Sequence, residues 1–190
     1  AKSFMTPLLA LMFIVIAVSG IGYNAYEQSF NYFIKDQFTL NSAYNGTIKV
    51  IIAGLTMLFN STLCLYLQQK TNINKTFLPI MAICTTLVGS AICVKTQIPF
   101  MAIYIIYNGF NAVRQPLLQS IIASQATKET SNSVMGFYQS MNSLGSIFGA
   151  AFAGIIYNAN PIYPFVLACA AYGLACFIGI IYIKKYKEAQ

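Results

Sequence analysis

Six apolar stretches, each long enough to cross a bilayer, fill almost the whole of this 190-residue chain, at about 4–28, 43–67, 76–94, 99–124, 133–157 and 161–183. A helix rising about 1.5 Å per residue needs roughly 20 apolar residues to traverse a hydrocarbon core about 30 Å thick. Only 8% of the residues are charged against 57% hydrophobic, and the charges gather in the gaps between the stretches. The expected fold is therefore an all-α membrane protein, a single bundle of six transmembrane helices over residues 1–190 with nothing left for a soluble domain.

A net charge of +7 in a soluble protein raises the question of nucleic acid; here the placement of the lysines answers it, and no nucleic-acid partner is expected. With a cytoplasmic N-terminus, Lys2, Lys70, Lys75, Lys128, Lys184, Lys185 and Lys187 fall on the inner side, against Lys35, Lys49 and Lys95 on the outer side. That bias follows the positive-inside rule and predicts a multi-pass protein of the cytoplasmic membrane with both termini inside. All five cysteines lie in apolar stretches, where a thiol behaves as a small hydrophobe, so no disulfide framework is expected. With no histidine and four acids there is no ligand set for a metal and no base to activate a serine or cysteine. No catalytic residue, metal or cofactor is expected.

The polar residues inside the spans carry the functional signal, because polar side chains in lipid must face protein or water. In the first span Ser19, Tyr23, Glu27 and Asn31 follow at i+4 steps, a row that suits a cavity wall or an interfacial aromatic belt. The second span has a polar stripe of Lys49, Ala53, Thr56 and Asn60; the fourth presents Tyr104, Tyr107, Asn108, Asn111 and Gln115, followed by Arg114 and Gln119. Pro116 alone among the six prolines lies deep in a span and is expected to kink or loosen it. The fifth span carries Tyr138, Asn142 and Ser146 on one side and small residues on another, with Gly145, Gly149 and Gly154 as candidates for close helix packing. The third and sixth spans are plainer and are expected to face lipid. Polar faces on spans one, two, four and five, with plain spans three and six, make a three-plus-three pattern that fits two inverted repeats of three helices.

Three ionisable groups fall within the spans. Glu27 is about 20 residues along a helix that starts inside and Lys49 a few residues into one that starts outside, so the two are expected to meet at the outer mouth as a gate pair or a permanent ion pair. Arg114 lies too deep to reach Glu27, and is expected to face a wet cavity or to bond Asn142, Ser146 or a group outside this chain.

The outer run FIKDQFTLNSAYNG, with Asn41 or Ser42 as N-cap of the second helix, the segment PLLQSIIASQATKETSNSVMGFYQS and the glycine-rich LGSIFGAAFAGIIY together resemble the C-terminal half of a major facilitator superfamily transporter, closest in pattern to drug:proton antiporters and sugar-efflux relatives. The family commonly has proline after the second glycine, where this chain has Ala150, and the gap Gln68–Lys75 lacks the family's acidic-glycine-basic motif. The resemblance implies half of a twelve-helix fold, with spans one, two, four and five lining the cavity. It also implies a missing N-terminal six-helix half, or a second copy, as partner, a small-molecule substrate and the bilayer as solvent. A start at Ala1 without methionine agrees with a fragment. The function expected from it is alternating-access transport, as proton-coupled efflux; nutrient or organic-anion uptake and a non-transporting six-helix scaffold are the alternatives.

Overall fold

The computed structural model describes residues 5–39, 42–94 and 96–188. Among them the chain forms six helical rods and no strand: α1 (Pro7–Asp36), α2 (Ser42–Phe59, continued by a π-helical turn Asn60–Cys64 and by Leu65–Lys70), α3 (Ile73–Cys93), α4 (Gln97–Ser124), α5 (Ser131–Tyr157) and α6 (Tyr163–Glu188). The starts follow capping chemistry. The Thr6 hydroxyl accepts from the Leu9 amide with Pro7 at the first helical position, and the Asn72 side chain accepts from the Asn74 amide. Lys2, Lys95 and the Asn41 alternative for the cap of α2 lie outside the described residues, as does the Ser42 side chain.

Several boundaries differ from expectation, among them the end of α6 at Glu188 instead of about 183. The first helix runs to Asp36 instead of ending near 28, because Phe30, Phe33 and Phe38 pack with Phe100 and Phe165 and hold its outer turns in place. The third starts at Ile73, so Pro79 sits inside it, not at its start. Five of the six rods are long and apolar enough to span a membrane by length and composition; α4 is not among them. Its Asn, Gln and Arg residues dilute its apolar character, and Asn108, Asn111 and Arg114 are buried inside the bundle.

Packing divides the rods unevenly. α1 packs most extensively on α5 and then on α6, α4 on α3 and α2, and α3 on α6. The α1–α5 contact is as close as two backbones come. A Cβ added at Gly145 would lie 2.4 Å from the Ala17 carbonyl oxygen, and one at Gly149 2.5 Å from that of Ile21. At that separation only hydrogen fits, which is why small residues recur at membrane helix contacts. Gly154 does not share this role: nothing lies within 4 Å of its Cβ position. It lies one position round the helix from Ala153, which with Gly145, Gly149 and Tyr157 forms the buried side of α5.

α6 buries Ala168, Ala171, Tyr172, Ala175, Gly179 and Tyr182 on one side and leaves Val166, Leu174, Phe177 and Ile180 exposed on the other. α2 is the least enclosed rod, with Val50, Met57 and Leu58 more than half exposed. At the inner end the Tyr182 hydroxyl donates to Asn74 Oδ1 at 2.7 Å and accepts from Gln125 Nε2 at 2.8 Å, tying the start of α3 to the end of α4.

Candidate polar cavity and ion-pair site

The polar row on α1 acts as a seam between α2 and α4. Ser19 accepts from Arg114 of α4, Tyr23 lines a cavity, Glu27 pairs with Lys49 of α2, and Asn31 accepts from Asn45 of α2. Spacing of four residues keeps all four on one stripe. The bonds across it therefore run the length of the groove between α2 and α4.

Glu27 and Lys49 form an ion pair, and the Tyr104 hydroxyl closes it into a triad, donating to Glu27 Oε2 while accepting from Lys49 Nζ at 2.7 Å. The ammonium also lies 5.3 Å from the Tyr104 ring centroid. The pair meets as expected but sits deeper than the mouth. α1 continues nine residues beyond Glu27, to Asp36 (36 − 27), about 14 Å of helix. Tyr104 itself is fully buried and touches the groove only through its hydroxyl.

One helical turn below, a cavity of about 360 Å³ opens between α1, α2 and α4. It is walled by Tyr23, Thr56, Asn60, Asn108, Asn111 and Gln115, six of the residues singled out from the sequence, together with Ile52, Ala112, Pro116 and Gln119. None of these carries a charge. Two backbone irregularities face each other across it. The π-helical turn begins at Asn60, and the Ser61 and Thr62 hydroxyls both donate to the Leu58 carbonyl, supplying hydrogen bonds where the regular ladder is disturbed. On α4, Pro116 has no N–H to give to the Ala112 carbonyl, yet the helix continues unbroken to Ser124.

Arg114 lies elsewhere. It is 3% exposed, behind the cavity wall, with Nε donating to Asn111 Oδ1 at 2.8 Å and a terminal nitrogen donating to Ser19 at 2.7 Å. The Tyr172 ring of α6 lies against its guanidinium, and the Tyr172 hydroxyl reaches Asn111 Oδ1 at 3.2 Å and the Tyr107 hydroxyl. In place of the expected wet cavity or the expected partners Asn142 and Ser146, Arg114 sits in a buried, bonded cluster. The reason is geometric: residue 114 is one position round the helix from Gln115, which faces out, and points at α1 and α6 instead. Ser146 bonds Asn24 of α1 at 3.0 Å, and Asn142, half-buried, presents its carbonyl to Ser146 and to the Gly20 contact. Tyr107 and Tyr138 are likewise buried, Tyr107 in the Arg114 cluster and Tyr138 facing Gln115. The fifth helix contributes no wall to this cavity.

Tyr172 is the member of this network that was not singled out from the sequence. Tyr172 stands alone among apolar neighbours on α6, and nothing in its spacing announces that its hydroxyl serves α4. A buried arginine does demand acceptors, and Ser19, 95 positions earlier, was legible only as part of the α1 row.

The family model for the Major Facilitator Superfamily matches residues 12–189. Multidrug resistance protein 2 of Bacillus subtilis (strain 168) is 27% identical over 202 aligned positions that cover 100% of this chain and 46% of the relative. The chain spans about half the length of the curated relative it matches. No solved structure matches. Six helical rods around a polar groove, with a family match over nearly every residue, leave no doubt of the family: the chain belongs to the Major Facilitator Superfamily.

Proposed function

We propose that this chain is one six-helix half of a secondary active transporter that moves small molecules across the cytoplasmic membrane by alternating access, as proton-coupled efflux, with both termini inside. The observation that carries the proposal is the uncharged polar cavity of about 360 Å³ between α1, α2 and α4, capped by the Glu27–Lys49–Tyr104 triad. A carboxylate held by an ammonium and a hydroxyl changes its bonding when it takes a proton, so the triad is the element that couples a proton to the tie between α1 and α2. The family match, the drug-resistance relative and its doubled length support a partner half facing this groove. The helix pairings support two inverted three-helix repeats: exchanging α1 with α4, α2 with α5 and α3 with α6 turns α1–α5 into α4–α2 and α1–α6 into α4–α3, and leaves α3–α6 unchanged.

The test is reconstitution of the complete two-half transporter in proteoliposomes, with a panel of labelled lipophilic and polar compounds and an imposed pH gradient. Gradient-driven movement lost in Glu27→Gln, with expression retained, is the expected result. Silent alanine substitutions along Tyr23, Thr56, Asn60 and Gln115 would instead mark a non-transporting scaffold. The placement of Arg114 away from the cavity supports this reading over organic-anion uptake.

A further inference from the structure

The hydrogen-bonding pattern of the cavity wall fixes which way its amides point. Asn111 Oδ1 accepts from Arg114 Nε and from the Tyr172 hydroxyl. A guanidinium has donors only, so this oxygen cannot trade places with the amide nitrogen, and Asn111 turns its NH2 toward the cavity. Asn108 is held the opposite way. Its Nδ2 donates to the Tyr104 backbone carbonyl at 2.9 Å, and a carbonyl only accepts, so Asn108 leaves its oxygen for the cavity. The two residues are three apart on one helix, with Cβ atoms about 5–6 Å from each other. Opposite them on α2, Asn60 Oδ1 is buried without any hydrogen-bond partner. A buried acceptor left unmade is costly, and this one sits in the cavity wall at the start of a π-helical turn.

The wall thus offers one fixed donor and two acceptors, and no charge. We propose that this half recognises the uncharged polar part of the substrate, a carboxamide or a hydroxyl beside a carbonyl: the ligand's carbonyl accepts from Asn111, and its N–H or O–H donates to Asn108 and Asn60. Arg114 is a positioning residue in this scheme, acting through Asn111 and not touching ligand. The inference rests on the reading of the chain as half of a transporter, and names the substrate chemistry of that cavity.

The test uses the complete transporter and three probes: benzanilide, a neutral secondary amide; trans-stilbene, of similar shape with no polar atom; and tetraphenylphosphonium, a lipophilic cation without hydrogen-bonding groups. Equilibrium dialysis gives their affinities for the wild type, Asn111→Asp and Asn60→Leu. The aspartate keeps the Arg114 contact while turning an acceptor toward the cavity, and the leucine removes the orphan oxygen without breaking any bond. The wild type is expected to prefer benzanilide over stilbene, and each variant to lose about tenfold in benzanilide affinity, or about 1.4 kcal/mol, with stilbene within twofold in both variants and the cation within twofold in Asn60→Leu. Equal loss for all three probes, or no preference for benzanilide in the wild type, overturns the inference. Counterflow of the same probes in proteoliposomes separates the two levels. Transport of the cation without amide discrimination overturns the inference alone, whereas transport of none of them removes the reading beneath it.

Discussion

Substituting alanine at Gly145 and at Gly154 makes the same chemical change on the same helix and is expected to have opposite effects. At Gly145 the new methyl lands 2.4 Å from the Ala17 carbonyl oxygen and 3.0 Å from the Gly20 Cα, both backbone atoms that cannot rotate away. Ordinary contact begins near 3.4 Å, so α1 and α5 must part by about 1 Å (3.4 − 2.4) along their longest interface. A gap of that size forfeits a quarter to a half of each dispersion contact it opens, and overpacking of this kind costs about 1–3 kcal/mol. The gain from replacing a helical glycine offsets up to about 1 kcal/mol. From the middle of that cost range the net is a loss of about 1–2 kcal/mol, and at about 2–4 °C per kcal/mol for a chain of this size Tm falls by about 2–8 °C. At Gly154 nothing lies within 4 Å, so only the gain survives and Tm rises slightly or holds. Thermal unfolding of the purified protein, followed by reaction of fully buried Cys84 with a fluorogenic maleimide above the baseline from exposed Cys93, reads both. Shifts of the same sign and size at the two positions would refute the packing argument.

Other expectations concern the charged groups and the topology. A double-mutant cycle of Glu27→Gln and Lys49→Met should return a coupling of about 1 kcal/mol in unfolding free energy, modest because both side chains retain some solvent access; additivity would mean the pair contributes nothing to stability. Arg114→Leu removes two charge-assisted hydrogen bonds worth about 1.5–3 kcal/mol each and is expected to abolish a monodisperse peak in size-exclusion chromatography, while Arg114→Gln is expected to lower yield, not leave it intact; a well-behaved leucine variant would show the cluster to be dispensable. In a background lacking the native cysteines, a cysteine at Asp36 should react with an impermeant thiol reagent from outside and one at Thr130 should be protected; the reverse pattern inverts the topology.

Elements whose signal is a local repeat were readable from the chain, and those defined by a partner were not. The six rods follow from uninterrupted apolar length, and the close approach at Gly145 and Gly149 from their four-residue spacing. Gly154 shows the limit of reading small residues alone, since it lies five positions after Gly149, off the stripe that continues through Ala153 and Tyr157. The meeting of Glu27 and Lys49 followed from depth along two antiparallel helices, but its distance from the surface did not, because the end of α1 is set by phenylalanines contributed by α4 and α6. Arg114 was legible as a group needing acceptors; which acceptors depended on its rotation relative to Gln115, one residue and about 100° away. The π-helical turn in α2 had no sequence signature beyond Ser61 and Thr62, whose hydroxyls only stabilise it once formed.

The distribution of close packing decides where this bundle can yield. α1, α5 and α6 are joined by backbone contacts at glycine and by the Arg114 cluster, which spans α1, α4 and α6 with its polar atoms paired. Moving any of these rods relative to the others breaks several contacts that have no solvent to replace them. α2 has the opposite character. It is the most exposed rod, it packs chiefly on α4, its ladder is already interrupted at Asn60, and its polar ties to α1 include the Lys49 pair and the Asn45–Asn31 bond. Under the proposed coupling, a proton on Glu27 would loosen the Lys49 tie without touching the core behind it. The residues beside that tie are the ones that wall the cavity, so release of α2 and reshaping of the Asn60–Asn108–Asn111 surface are the same mechanical event.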